Sequence, residues 1–123
     1  MDHQMQRALR ILLIDDDPLV RETLASILAA QGHSVLQTGG GHEGLARLEA
    51  EEAVDLVLTD LRMPGMDGWQ VVAAVKARWP HLRVGVITGT PEALWEQREP
   101  VDLLLTKPVT FDALREAISQ VHP

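Results

Sequence analysis

The chain has 123 residues, 46% apolar and 24% charged, which suits one soluble domain and is short for two. Eleven basic residues against 18 acidic ones give a formal charge of −7, which disfavours direct binding to nucleic-acid phosphates or to an anionic membrane surface. No apolar run approaches the length of a spanning helix, Met1 to Arg10 lacks the apolar stretch of a secretory signal, and the absence of cysteine removes disulfides, thiolate metal sites and cysteine nucleophiles; a cytoplasmic protein whose chemistry uses oxygen and nitrogen groups is expected.

Leu9 to Ile14 is a short, continuously apolar run, the pattern of a strand buried on both faces, and it ends in Asp15, Asp16 and Asp17. A helix is predicted next, with Asp17 as its cap, Pro18 in its first turn, Val20, Leu24, Ile27 and Leu28 on one face, and Gly32 at its end. Ser34 to Thr38 is a second strand, and Gly39, Gly40 and Gly41 lead into a helix carrying Leu45 and Leu48. Val54 to Thr59 repeats the first pattern, an apolar strand running into Asp60 and then a turn-rich segment from Met63 to Gly68. The helix after it, with Val71, Val72 and Val75, must stop near Trp79 because Pro80 comes next. Val84 to Thr88 is a fourth strand, Thr90 and Pro91 are placed to cap and start a short helix, and Val101 to Thr106 is a fifth strand ending at Lys107 and Pro108. Thr110 opens a last helix with Leu114, Ala117, Ile118 and Val121 on its buried side.

Five strands alternating with five helices predict an α/β fold with a parallel sheet, and with no linker or repeat the chain reads as one domain spanning residues 1–123, without an appended output domain. In such sheets the loops at the carboxyl ends of the strands converge on one edge. Those ends deliver Asp15, Asp16, Asp60, Thr88 and Lys107. Three carboxylates brought together repel one another unless something positive sits among them, and all-oxygen donors point to a hard cation, Mg²⁺ or Mn²⁺, with positions left for a phosphate. Lys107 adds a second positive partner and Thr88 a hydrogen-bond donor, an arrangement that suits phosphoryl transfer. Asp60 stands alone at its strand end and is the best candidate nucleophile, while the adjacent Asp15 and Asp16 are better arranged to share the cation.

The run Leu12 to Pro18, the run Leu58 to Gly68, Thr88 with Gly89 and Lys107 with Pro108 together resemble the receiver domain of two-component response regulators, over nearly the whole chain. The resemblance implies a flavodoxin-like sheet of order 2-1-3-4-5 and phosphorylation of Asp60 by a histidine kinase or a histidine phosphotransfer protein, with the signal passed on as changed affinity for a downstream protein partner. It also implies that Asp16, Asp60 and the backbone carbonyl of Arg62 bind Mg²⁺, that Asp15 helps through water, that Thr88 and Lys107 contact the phosphoryl group, and that the Lys107–Pro108 bond is cis.

Two departures stand out. Receivers often carry an aromatic residue three positions before the lysine, where this chain has Leu104, and it has no tyrosine at all. The interval from Thr88 to Lys107 is also short, so the fourth helix should be short or irregular and the usual dimer face is not expected. Trp95 on that helix could anchor a partner but is expected to pack over a thin region of core, and Trp69 and Trp79 to cover the third helix. The five histidines lack ligand spacing, and the glycines at 39–41 lack the ending of a phosphate-binding loop. Two other functions compete: a receiver-like module that binds its partner without phosphorylation, and a hydrolase with an aspartyl-phosphate intermediate, as in haloacid-dehalogenase-like phosphatases. The latter wants a second aspartate two positions after the nucleophile, where this chain has Arg62.

Overall fold

A computed structural model describes residues 8–51, 53–97 and 99–121. Strand β1 (Arg10–Ile14) alternates its apolar side chains between two separate cores, Ile11 and Leu13 on one face, Leu12 and Ile14 on the other. That double burial is why its sequence is continuously apolar. Strands β2 (Ser34–Thr38), β3 (Leu56–Thr59), β4 (Arg83–Thr88) and β5 (Leu103–Thr106) complete one sheet in the order β2-β1-β3-β4-β5, every neighbouring pair parallel. The flavodoxin-like order implied by the receiver resemblance is the order found.

Helices α1 (Pro18–Ala30) and α4 (Phe111–Val121) cover one face, packing Leu24, Leu28, Leu114 and Ile118 against Leu13, Leu58 and Ile87. Helices α2 (Gly41–Ala50) and α3 (Gly68–Arg78) cover the other, packing Leu48, Val71, Val72 and Val75 against Leu12, Val57 and Val86. The caps follow local chemistry. Asp17 accepts from the amides of Leu19 and Val20, Gly32 takes φ +97° just past α1, and Thr110 Oγ1 accepts from the amide of Ala113 at 3.0 Å. At α3, Asp67 and Gln70 form a reciprocal capping box. Helix α3 ends at Arg78, before Trp79 and Pro80, as the proline requires.

Three expectations are corrected. Strands β3 and β5 begin two residues later than their apolar runs suggest, because Asp55 and Asp102 precede them as side-chain clamps. Each accepts from a neighbouring strand's amide through its carboxylate, Asp55 from Arg10 at 2.8 Å and Asp102 from Val84 at 2.9 Å, and each donates its own amide to the same residue's carbonyl. The fourth helix is short and irregular as expected, a six-residue 3₁₀ segment, Pro91–Glu96, but Thr90 does not cap it: it stands at the cap position without a side-chain hydrogen bond to it. Trp95 does not cover the core: it is 84% exposed. A 3₁₀ segment this short turns only a little of itself to the sheet, and Ala93 and Leu94 fill that side, leaving the next residue facing water. Trp69 and Trp79 do pack against the α3 core, and Trp69 Nε1 donates to the Ala93 carbonyl at 2.8 Å, tying the segment down.

Gly68, the first residue of α3, lies so close to the chain after β3 that a Cβ there would stand 2.1 Å from the Asp60 carbonyl oxygen and 2.7 Å from the Leu61 Cα. Backbone cannot yield as a side-chain tip can. Gly68→Ala should therefore cost about 2 kcal/mol or more in urea denaturation. Gly89→Ala, where the new methyl would meet only ordinary contacts from 3.6 Å outward, should shift stability by no more than about 0.5 kcal/mol.

Candidate functional site

Parallel register carries the strand ends to one edge. Ile14 pairs with Thr59 and Thr88 with Thr106, so Asp15 follows β1 beside Asp60 following β3, with Thr88 closing β4 and Lys107 following β5. The order of strands reverses between β1 and β3, which opens a crevice between their outgoing loops. Backbone bonds continue past the strands and fix the spacing: Asp15 N–H donates to Thr38 O at 3.1 Å, Asp60 N–H to Ile14 O at 2.9 Å and Lys107 N–H to Thr88 O at 2.8 Å.

All five residues singled out at the strand ends arrive at this edge. Asp15 is buried, 1% exposed, and both its carboxylate oxygens are engaged: Oδ1 accepts from the Asp17 amide at 3.0 Å and Oδ2 from Lys107 Nζ at 2.9 Å. Asp60 Oδ1 accepts from the Leu61 amide at 2.8 Å, and Oδ2 from the same Lys107 Nζ at 3.2 Å. Asp16 is exposed, yet carboxylate oxygens of Asp15, Asp16 and Asp60 all lie within 4.8 Å of one another. Lys107 comes from beyond β4, and its stem passes Gly89, where a Cβ would sit 3.6 Å from its Cδ. The Lys107–Pro108 bond is cis, as expected.

Thr88 is buried, and its hydroxyl is occupied within its own loop, accepting from the Thr90 amide at 3.0 Å. The Arg62 side chain is exposed, as expected, and pairs with Glu96 of the 3₁₀ segment at 3.7 Å. Two residues to which the sequence assigns no role hold main chain in place, one at this edge and one at the opposite end of the sheet. Arg21 of α1 donates through Nη1 to the Asp15 carbonyl at 2.9 Å, and His33 is buried with Nδ1 accepting the Leu9 amide at 3.0 Å. Neither contact has a local signal, since partners 6 and 24 positions apart meet only in the folded chain.

The electrostatics of the site pull in opposite directions. Burial raises the Asp60 pKa above the usual carboxylate value, the charge of Asp15 adds to the rise, and Lys107 and the Leu61 amide only partly offset it. Burial would lower the pKa of Lys107, but the hydrogen bonds and charges of Asp15 and Asp60 outweigh it and the net shift is upward. Three carboxylates against one ammonium leave an excess of negative charge that a divalent cation matches, and the donor set is all oxygen, so the residues present fit Mg²⁺.

Because the folded-state pKa of Lys107 is raised, its contribution to stability is complete below the ordinary lysine range and is lost as pH rises through the raised value. Asp60, also raised, favours the fold most below the ordinary carboxylate range, an advantage lost as pH climbs through its own raised value. Lys107→Met should cost about 2 kcal/mol at pH 7, less than a fully buried pair because the lysine side chain keeps 21% of its surface. The loss should shrink in acid as the abandoned Asp60 carboxylate takes up a proton, which urea denaturation at neutral and acidic pH would measure.

Residues 11–119 match the profile of the response regulator receiver domain. The chain is 41% identical over 111 residues to the transcriptional regulatory protein GlrR of Escherichia coli K12, a match covering 88% of this chain and 25% of GlrR, so it spans about a quarter of that relative's length. It is 33% identical over 117 residues to protein PilH of Pseudomonas aeruginosa, covering 91% of this chain and 96% of PilH. Among solved structures, the response regulator TrrA of Thermotoga maritima in complex with Mg²⁺ and BeF superposes with a TM-score of 0.79 at 26% identity, over 92% of this chain and 98% of that one. TrrA in complex with the histidine kinase ThkA matches with a TM-score of 0.76 at 26% identity, over 92% and 97%. Matched in sequence and in structure over nearly its whole length, the chain belongs to the response regulator receiver domains of two-component signalling systems.

Proposed function

We propose that the protein accepts a phosphoryl group on the Asp60 carboxylate from a phosphohistidine of a histidine kinase or a histidine phosphotransfer protein, in a reaction that needs Mg²⁺, and signals through changed affinity for a downstream protein. The observation that carries this reading is the bridging of Asp15 and Asp60 by a single ammonium, with Asp16 alongside, at the crevice where the strand order reverses. Support also comes from TrrA, whose structures contain Mg²⁺ with BeF and a histidine kinase.

In this reading Asp16, Asp60 and the backbone carbonyl of Arg62 hold Mg²⁺, or Mn²⁺ in its place, with Asp15 assisting through water. When bound, the ion neutralises charge on the phosphoryl oxygens. Asp60 attacks phosphorus, the phosphorus–nitrogen bond to the donor imidazole breaks, an acyl phosphate forms, and the imidazole nitrogen recovers a proton from solvent. The raised pKa of Asp60 marks an ionised carboxylate that the fold holds at a cost, and a cation beside it relieves that cost. Lys107 Nζ, already 3.2 Å from Asp60 Oδ2, is placed to take a phosphoryl oxygen, and Thr88 can donate to another once its hydroxyl turns away from Thr90. A histidine kinase as donor implies a cytoplasmic location, and the formal charge of −7 argues against direct nucleic-acid or membrane contact.

The hydrolase reading lacks support at position 62, where the side chain is an arginine paired with Glu96. Incubation with Mg²⁺ and acetyl phosphate should give a single phosphoryl adduct by mass spectrometry, absent in Asp60→Asn and absent with EDTA. Lys107→Met should slow its formation about a hundredfold, the loss typical when one donor to a developing oxyanion is removed. A protein that forms no adduct with any small phosphodonor or kinase, or whose adduct persists in Asp60→Asn, sinks the proposal; rapid turnover of many phosphate esters would instead favour a hydrolase.

A further inference from the structure

We propose that Arg21 is a positioning residue for the acid pair after β1: its guanidinium fixes the peptide plane between Asp15 and Asp16 and so aims the Asp16 carboxylate at the cation. The inference rests on reading the three acids as a divalent-cation site, as under Proposed function.

Arg21 Nη1 donates to the Asp15 carbonyl at 2.9 Å, and Nε donates to Gln37 Oε1 at 3.2 Å. Gln37 lies in β2 beside Thr38, whose carbonyl accepts the Asp15 amide at 3.1 Å. Both sides of the Asp15 main chain are thus tied to the end of β2, the amide directly and the carbonyl through Arg21 and Gln37. The carbonyl matters more, because it belongs to the peptide that joins Asp15 to Asp16 and its direction sets where the Asp16 side chain starts.

The peptide after Asp16 is held by the Asp17 amide on Asp15 Oδ1, but the Asp16 carboxylate itself has no anchor among the described residues. Asp16 is exposed, and among the described residues its carboxylate makes no hydrogen bond or ion pair, whereas the carboxylates of Asp15 and Asp60 are each held by an amide and by Lys107. A guanidinium suits the task because its donors sit in one rigid plane, so a bond to Gln37 orients the bond to Asp15.

Charge alone predicts the opposite effect. A guanidinium near a cation site repels the cation, so on Coulomb's law its removal should tighten Mg²⁺ binding. Positioning predicts weaker binding. Mg²⁺ affinity would be measured by calorimetric titration on the full chain, with the urea midpoint in EDTA as a separate readout of the metal-free fold. Arg21→Met, which keeps the apolar stem, should weaken Mg²⁺ about tenfold with little change in the metal-free midpoint, the size of loss known for residues that orient metal ligands. Arg21→Lys, which can still donate to the carbonyl but lacks the fork, should fall between Met and the parent, and Gln37→Ala, which leaves Arg21 in place but unanchored, should weaken binding roughly twofold to threefold.

Unchanged or tighter Mg²⁺ binding in Arg21→Met overturns the proposal, as does a loss of affinity no greater than the loss of metal-free stability explains. If Arg21→Met does not fold, Gln37→Ala decides by the same criterion. A parent protein that takes up no Mg²⁺ overturns the cation-site reading together with this inference, whereas a parent that binds and a Met variant that binds equally well overturns the inference alone.

Discussion

One ammonium between two carboxylates organises the carboxyl edge of this sheet. Lys107 Nζ stands 2.9 Å from Asp15 and 3.2 Å from Asp60, and both acids are largely withdrawn from water, with 2% and 11% of their side-chain surface exposed. Burial is the larger influence on Asp60, with the charge of Asp15 adding to it, which is why the Asp60 pKa rises despite its lysine. A better-neutralised site would be more stable and less responsive. Leaving it short of positive charge gives a divalent cation or a rearranged lysine a large effect on the Asp60 carboxylate.

The rest of the architecture brings these groups to one place. Asp15 and Asp60 are adjacent because β1 and β3 are hydrogen-bonded neighbours in register, while Lys107 must cross from β5 over β4. A four-carbon stem spans that distance, passing Gly89, where a Cβ would make only an ordinary contact at 3.6 Å. Two cores, one on each face, hold the strands from both sides, so the spacing of the strand ends is set by the packing of Leu13, Leu58 and Ile87 below and Leu12, Val57 and Val86 above. The close approach of Gly68 to the Asp60 carbonyl then fixes where α3 can begin, and with it the loop after Asp60.

The sequence was most legible where burial is symmetric. Strands buried on both faces announce themselves as unbroken apolar runs, and the acids that end two of them, the threonine that ends β4 and the lysine after β5 were visible as interruptions at matching places. Boundaries were less legible where a side chain stands in for backbone: Val54 and Val101 look like strand starts because nothing local shows that Asp55 and Asp102 bond across to Arg10 and Val84. The Asp67 capping box carried a local signal, an acid three positions before a glutamine, that was lost within a turn-rich segment. Trp95 departs from its expected place for a different reason. Its large apolar surface predicts burial on average, but a six-residue 3₁₀ segment has little inward surface, and Ala93 and Leu94 already occupy it.

That segment and Leu104 bear on how a change at the site leaves it. Leu104 is partly exposed and has no polar side-chain atom with which to answer a shift in a hydroxyl or a charge. The 3₁₀ segment, by contrast, is joined to the site's surroundings by three polar links: the Thr88 hydroxyl to the Thr90 amide at its cap, Arg62 of the Asp60 loop to Glu96, and Trp69 at the start of α3 to the Ala93 carbonyl. Two of these begin within two residues of the site acid or at the site threonine itself. They are also weak, since an exposed ion pair at 3.7 Å contributes little and a single loop hydrogen bond about 1 kcal/mol. Weak links in a short segment with few buried residues are easily exchanged. Turning the Thr88 hydroxyl toward the acid edge removes the bond to the Thr90 amide, and from Thr90 the chain passes directly into Pro91 to Glu96, with Trp95 on its outer side. Thr88 also pairs directly with Thr106 of β5, but Leu104 on that strand offers no polar side-chain group to join these bonds.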